Sequence, residues 1–373
     1  MSIGSQFVTG STFREIRHED PTDPARRQEI LESPGFGRHF TDHMVTMVWT
    51  DQEGWHDGRI EPYGPFRLDP AAAVLHYGQE IFEGLKAYRH PDSSIWGFRP
   101  EANAHRFNRS ARRMALPEFP AEDFLSAVEL LVAKDRQWVP DGDEQSLYLR
   151  PFMFAEESFL GVRPARRIRF CVIASPVGAY FSQGVEPVSI WLSTNYTRAA
   201  RGGTGAAKCG GNYAAGLAAQ QEASAHGCDQ VCFLDAADQR WVEELGGMNL
   251  FFVHDDGLLV TPELTGTILE GITRSSIIEL AKEQGLEVVE RRVDIDEWQR
   301  GMADGRIREV FACGTAAVIT PVGRLVWDGG EATAPSGTSA GPQDSVWGRL
   351  RSALIDIQWG RTADTHGWMR RFC

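Results

Sequence analysis

Lysine is scarce in this chain. Lys86, Lys134, Lys208 and Lys282 are the only four, and arginine supplies the other basic side chains. Positive charge as a whole is also short: 51 acidic against 38 basic residues leave a formal net charge of −13. That balance argues against nonspecific binding to nucleic acid or an anionic membrane, while still allowing a local basic pocket for a phosphate. No apolar run approaches the roughly 20 residues that span a bilayer. The first eight residues lack a basic stretch and an apolar core, so a secretory leader is not expected. Cysteine is sparse: Cys171, Cys209, Cys228, Cys232, Cys313 and Cys373 are scattered along the chain. This pattern suits reduced thiols in the cytoplasm rather than a disulfide framework. Cys228 and Cys232 have no companions at zinc-finger spacing, so no metal site is expected and both read as small buried residues. Internal repeats and low-complexity tracts are absent as well.

What is present is an ordinary globular composition, 42% hydrophobic and 24% charged over 373 residues, enough for two domains with sizeable cores. Lys134 and Lys282 fall in amphipathic helical patterns, where a solvated lysine is ordinary. Lys208 does not. It lies in Arg201-Gly-Gly-Thr-Gly-Ala-Ala-Lys208-Cys-Gly-Gly-Asn-Tyr213, just before an alanine-rich helical segment. An amine held among small residues is partly desolvated, which favours its neutral, nucleophilic form. Lys208 therefore reads as a lysine that forms a Schiff base with pyridoxal phosphate.

Taken in order, residues 1–35 are polar and broken by prolines, which predicts a loosely held arm. Residues 36–178 read as a smaller N-terminal α/β domain. It contains an amphipathic helix over 121–139, with Phe124, Val128, Leu131 and Val132 at helical spacing. A nearly all-apolar strand over 167–174 is expected at the centre of its sheet. Residues 179–187 read as an interdomain linker. Residues 188–373 form the larger domain that carries the lysine. There the patterns predict a helix over 213–226 stopped by Gly227, a β-meander over 230–261, a helix from Gly271 to about Gln284, and a closing helix over 343–358. The fold class is α+β, with two α/β domains and an active site in the cleft between them.

A pyridoxal phosphate site needs an amine, an acid against the pyridine nitrogen, a donor near the phenolic oxygen and a phosphate cradle. Tyr213, five residues after Lys208, either reaches the phenolic oxygen or packs as a helix-start aromatic. Glu243 and Glu244 are adjacent on a strand and point to opposite faces, so only one can enter the site; periodicity does not decide which. For the cradle, Gly271-Ile272-Thr273 opens a helix, and Gly314-Thr315-Ala316-Ala317 offers a second small-residue turn with a hydroxyl. Arg106 is one of several arginines on its helix.

Together these segments resemble the branched-chain amino acid aminotransferases, pyridoxal phosphate enzymes of fold type IV, and most of all their actinobacterial members. The resemblance runs from about Phe36 to the end of the chain. Its segments are Gly37 to Met44, Phe82 to Tyr88, Tyr148 to Pro151, Pro176 to Phe181, Gly205 to Tyr213, Glu244 to Phe251 and Cys313 to Ala317, in that order. It implies Lys208 as the Schiff-base lysine, Tyr213 at the phenolic oxygen and Glu244, not Glu243, at the pyridine nitrogen. Arg106, Thr315 and the backbone of Ile272 and Thr273 would surround the phosphate. Phe36, Tyr77, Phe82, Tyr148 and Tyr180 would line an aromatic pocket for an aliphatic side chain, with Arg150 meeting the distal carboxylate of glutamate. Backbone N–H groups of Ala316 and Ala317 would hold the substrate carboxylate. The loop matching Leu160-Gly-Val162 would come from a neighbouring subunit, which implies a homodimer. The expected substrates are amino acids and 2-oxo acids.

Two departures stand out. Ala317 and Thr320 occupy the places of a Cys-x-x-Cys pair found in some relatives, so thiol regulation of that kind is not expected. Gly247 stands where some relatives have threonine. Within the fold, the competing readings are a D-amino acid aminotransferase and an aminodeoxychorismate lyase. A nucleotide-binding loop over 202–208 fails because Ala207 precedes the lysine and Cys209 follows it, so the Gly-Lys-Ser/Thr ending is missing. Intact Lys208, Glu244 and Arg106 argue against a non-catalytic binding module.

Overall fold

The computed structural model describes residues 6–7, 12–178, 185–334 and 343–373. The chain divides into two compact units, residues 1–182 together with 357–373, and residues 183–356.

In the first unit the chain forms β1 (Gln6–Phe7), β2 (Phe13–Glu15), α1 (Pro24–Glu32), β3 (His43–Thr50), β4 (Gly54–Pro62), α2 (Ala73–Tyr77), β5 (Glu80–Phe82), β6 (Leu85–Arg89) and β7 (Ile95–Phe98). Then follow α3 (Pro100–Arg113), α4 (Ala121–Lys134), β8 (Ser146–Ala155) and β9 (Arg167–Val177). The sheet runs β1-β2-β4-β3-β9-β8-β6-β7, with β5 added on β8. The apolar strand β9 is indeed central, antiparallel to β3 (Val45 opposite Val172) and to β8 (Leu149 opposite Ala174). Phe170 of β9 anchors the core: Phe119 stacks on it at 3.9 Å, and Phe107 of α3 and Phe124 of α4 close around it at 5.8 and 6.4 Å. The helical spacing read in α4 is its buried face: Phe124, Val128, Leu131 and Val132 are all buried.

The described part of the N-terminal arm is better tethered than its composition predicts. Phe13 is fully buried and β2 pairs in parallel with β4. Asp23 caps α1 by accepting from the Ala25 and Arg26 N–H groups, with Pro24 at the first helical position. One apolar anchor and one cap outweigh a polar surround.

The second unit contains β10 (Val188–Ser193), α5 (Gly210–Ala225), β11 (Gln230–Leu234), β12 (Val242–Leu245), β13 (Asn249–His254), β14 (Leu259–Thr261), α6 (Ile272–Glu283) and β15 (Val288–Glu290). It continues with α7 (Ile295–Asp304), β16 (Ile307–Gly314), β17 (Val318–Trp327), β18 (Gly330–Thr333) and α8 (Val346–Gln358), where the chain passes back to the first unit. Its sheet runs β12-β11-β10-β17-β16-β13-β14-β15, with β18 on β17. Small residues Ala219 and Ala223 let α5 lie close against Trp191, Val231 and Phe233. On the other side Trp298 of α7 packs edge-on against Phe252 at 5.1 Å. The expected meander is two separate antiparallel pairs. β12 pairs with β11, while β13 pairs with β14 and β16, because the tight turn closed by Leu245 N–H donating to the Met248 carbonyl moves the chain to another part of the ladder. The C-terminal residues also depart from the expected boundary. β19 (Met369–Arg371) pairs with β7, so 357–373 belong to the first unit rather than to the lysine domain.

Candidate active site

Lys208 sits immediately before Cys209, the N-cap of α5. The loop that delivers it is fixed by two devices. Gly205 passes so close to the 267 segment that a Cβ would lie 2.2 Å from the Thr267 carbonyl oxygen, so only glycine fits. Asn212, on the first turn of α5, donates from Nδ2 to the Thr204 and Ala207 carbonyls at 2.9 and 2.8 Å and accepts from the Thr204 hydroxyl at 2.7 Å. With loop and helix start locked, Lys208 Nζ donates to the Tyr213 hydroxyl at 2.8 Å. Of the two readings left open for Tyr213, its polar end is the one turned to the lysine.

Glu243 and Glu244 are both buried on β12. Glu244 faces Arg198, whose Nη2 lies 2.8 Å from Oε1. Oε1 also accepts from the Leu269 N–H at 3.2 Å, and Oε2 from Asn249 Nδ2 at 3.3 Å. Burial pushes the Glu244 carboxyl up to about 7, against the opposing pull of the Arg198 guanidinium, the Leu269 N–H and the Lys208 charge. Glu243 instead accepts from the Thr267 hydroxyl. The carboxyl in the electrostatic field of Lys208 is thus Glu244.

Gly271 caps α6 without a side-chain hydrogen bond, which leaves the first-turn N–H groups of Ile272 and Thr273 suited to an anion. A Cβ at Gly271 would lie 2.0 Å from Asn249 Oδ1, so this glycine brings the helix start against the residue that holds Glu244. Thr315, Ala316 and Ala317 form the turn between β16 and β17. That turn is contiguous with the lysine region: Gly314 lies against Met248 and the Gly247 carbonyl, and Gly247 lies against the Tyr213 ring, each at Cβ distances of 3.3–3.6 Å.

In the first unit, Tyr148 and Arg150 lie two residues apart on β8 and so share a face. Arg150 donates to the Tyr148 hydroxyl at 3.0 Å and stacks over the Phe82 and Tyr148 rings at 4.7 and 5.3 Å. Phe36 packs edge-on against Tyr148 at 5.5 Å. Tyr77 donates its hydroxyl to the Leu160 carbonyl, and both Leu160 and Val162 are exposed, Val162 at 89%. Arg106 is buried on α3 in a two-point pair with Glu83, from Nε at 2.7 Å and Nη2 at 2.9 Å. Tyr180 lies outside the described residues. Among the described residues, no group of three or more His, Cys, Asp and Glu side chains could hold a metal ion, and no helix is long and apolar enough to cross a membrane.

Sequence reasoning did not single out Arg198, Asn212, Asn249 or Glu83. Arg198 stands ten residues before the lysine with no periodic signal. Asn212 and Asn249 carry a weak one, as polar residues at the head of an otherwise small or apolar element.

The amino-transferase class IV family pattern matches residues 80–325. The chain is 59% identical to a probable branched-chain-amino-acid aminotransferase of Streptomyces coelicolor, over 94% of this chain and 95% of that one. It is 56% identical to the branched-chain-amino-acid aminotransferase of Mycolicibacterium smegmatis, over 96% and 98% of the two chains. Among solved structures, the branched-chain amino acid aminotransferase of Escherichia coli superposes with a TM-score of 0.72 at 29% identity, covering 88% of this chain and 100% of that one. The geometry around Lys208 and these likenesses agree, and the chain belongs to the class IV aminotransferases, in their branched-chain-amino-acid branch.

Proposed function

We propose that this protein transfers the amino group of a branched-chain L-amino acid to 2-oxoglutarate, releasing the branched 2-oxo acid and L-glutamate. The observation that carries this reading is the Lys208–Tyr213 contact at the head of α5, in the field of the buried Glu244. Class IV aminotransferases use pyridoxal phosphate, and the residues here fit it: one amine, one buried acid, and a helix start with uncapped N–H groups. When bound, the cofactor supplies an electrophilic carbon and a ring that takes up the electron pair released at the substrate Cα.

The protein's own groups divide the remaining work. Lys208 Nζ takes the proton from the substrate Cα and returns it one position away, base and acid in turn. Tyr213 orients that amine and offers its hydroxyl to the phenolic oxygen. Glu244 holds the proton of the pyridine nitrogen, and the Arg198 guanidinium keeps Glu244 in place. Ile272 and Thr273 N–H groups, Thr315 and Arg106 serve the phosphate. Ala316 and Ala317 N–H groups serve the substrate carboxylate. Phe36, Tyr77, Phe82 and Tyr148 receive the aliphatic side chain, while Arg150 receives the γ-carboxylate when glutamate or 2-oxoglutarate binds.

A homodimer in the cytoplasm completes the reading. Exposed Leu160 and Val162 on one loop are surfaces that a second copy would cover, and six free cysteines, five of them buried, suit a reducing compartment. The test is a panel of L- and D-amino acids with 2-oxoglutarate on the purified holoenzyme. Turnover of L-leucine, L-isoleucine and L-valine is expected; preferential turnover of D-amino acids would replace this reading with that of a D-amino acid aminotransferase.

A further inference from the structure

One buried guanidinium pairs with one carboxyl of β12 and is linked to the next through Thr267. Glu243 and Glu244 are 4% and 3% exposed, on opposite faces of the strand. Arg198 touches both sides of this arrangement. Its Nη2 meets Glu244 Oε1 at 2.8 Å and also donates to the carbonyl of Thr267, whose hydroxyl donates to Glu243 Oε1 at 2.5 Å. Within this arrangement, Glu243 Oε2 and Arg198 Nε are buried and have no hydrogen-bond partner among the described residues. An ionised carboxylate with an orphan oxygen is costly at this burial, and a neutral carboxyl much less so.

Taking Lys208 and Glu244 in the roles given above, we infer that Glu243 is a positioning residue for Glu244, acting through Arg198. While Glu243 keeps its proton, the guanidinium serves Glu244 alone. Once Glu243 ionises, its charge competes with Glu244 for Arg198, and the unpartnered Nε and Oε2 give Glu243 a way to draw the guanidinium off. The surroundings favour the first state. Burial pushes the Glu243 carboxyl up and the Asp235 carboxylate adds to it, against the Thr267 hydroxyl and the Arg198 charge. On β11, the buried Cys232 thiol stands beside it and is itself pushed up by burial.

Glu243 also borders open space in the second unit. It lines a cavity of about 580 Å³ in the second unit, together with Arg201, Asp235, Asp238, Glu263 and Arg292. Arg201 and Asp238 on that wall are exposed. Arg292 is tied to Glu263 at 3.1 Å, and the Asp235 carboxylate, held by four backbone N–H groups, opposes ionisation of Glu243.

The test is the affinity of the cofactor-free protein for pyridoxal phosphate as a function of pH, with Glu243→Gln as the permanently neutral isostere. The two proteins differ only at residue 243, so the difference between the two curves reports Glu243. Equal affinities are expected at acidic pH, and about tenfold tighter binding by Glu243→Gln at the alkaline end, the equivalent of one pH unit of coupling between two carboxyls. Curves that superpose, or a Glu243→Gln loss that is the same at every pH, would overturn the inference. Thr267→Val gives an independent check. Without the hydroxyl that stabilises the ionised Glu243, the alkaline break should move to higher pH, and a break that stays in place counts against the role. Lys208→Ala separates the two levels: if it retains the visible band of a lysine Schiff base with the cofactor, the site reading fails, whereas superposed curves with that band absent from Lys208→Ala sink the Glu243 role alone.

Discussion

Each unit buries a glutamate against an arginine, and the two pairs are built differently. Glu83, in the first unit, is gripped on both oxygens: Arg106 donates from Nε at 2.7 Å and from Nη2 at 2.9 Å, and Asn103 Nδ2 adds a third bond at 2.7 Å. Glu244, in the second, receives one guanidinium nitrogen at 2.8 Å and two longer bonds, from Leu269 N–H at 3.2 Å and Asn249 at 3.3 Å. A two-point fork offsets the desolvation of both charges. A one-nitrogen grip does not, and burial then lifts the Glu244 carboxyl to about 7. The first arrangement fixes Arg106 in place. The second keeps an appetite for a further proton donor, which in the role proposed for Glu244 a protonated pyridine nitrogen would satisfy.

The contrast breaks most easily by deleting the carboxylates. Glu83→Ala strands a buried guanidinium and should cost about 3–5 kcal/mol of unfolding free energy. Glu244→Ala should cost clearly less, since Arg198 keeps its bonds to the Gly205 and Thr267 carbonyls. Denaturant unfolding of both variants without cofactor measures the difference. Equal losses would mean that the two pairs are the same kind of structure.

The next effect is a pH dependence. An ordinary glutamate loses its proton near 4.5, whereas folded Glu244 keeps it to about 7. Below about 4.5 both folded and unfolded chains are protonated at this residue and nothing is lost. Between 4.5 and 7 only the folded chain binds the proton, so stability falls as pH rises across that window and is flat above it. The total is on the order of 3 kcal/mol. Glu244→Gln removes the group, so the cofactor-free variant should gain on the wild type from pH 5 to pH 7. A constant gap between the two would show that Glu244 is already ionised when folded.

These two pairs also mark how far the sequence could be read. Lys208 was legible because its glycine–alanine surround is chemically odd. The faces of α4 and β9 were legible because burial imposes a period. The choice of Glu244 over Glu243 was not legible from strand alternation, which separates the two residues without saying which face holds the site; the resemblance to a family supplied it. Arg198 was invisible for a related reason. It comes from an irregular segment, and its meaning arises only when Gly205 lets that segment close on Thr267. The return of β19 to β7 escaped because pairing across more than 250 residues leaves no local trace.

A third arginine extends the comparison within the first unit. Arg106 has its carboxylate, but Arg150 has no carboxylate partner among the described residues, and its buried Nε is unpartnered there. It rests on the Phe82 and Tyr148 rings instead, where a dicarboxylate substrate can claim it. Arg150→Ala should therefore lower kcat/KM for 2-oxoglutarate by about 10–100-fold, the loss of a charge-assisted contact of ~1.5–3 kcal/mol, with a much smaller change for leucine. Equal losses for both substrates would assign Arg150 to packing.

The smallest expected effect sharpens the view of the second unit as a site with room left in it. Gly247 has no left-handed backbone requirement, and a Cβ there would stand 3.5 Å from the Tyr213 ring, an ordinary contact. By contrast, Gly205 and Gly271 are blocked by oxygen atoms at 2.2 and 2.0 Å. Gly247→Thr should fold with a melting temperature within about 2–4 °C of the wild type. The added hydroxyl beside Tyr213 should slow cofactor loss on dialysis by about 2–10-fold, the worth of one modest hydrogen bond. If the variant instead melts as far below the wild type as Gly271→Ala does, the turn after Glu244 is as tightly packed as the rest of the loop system. The incompleteness of the second unit's site would then be confined to Glu244 and Arg198.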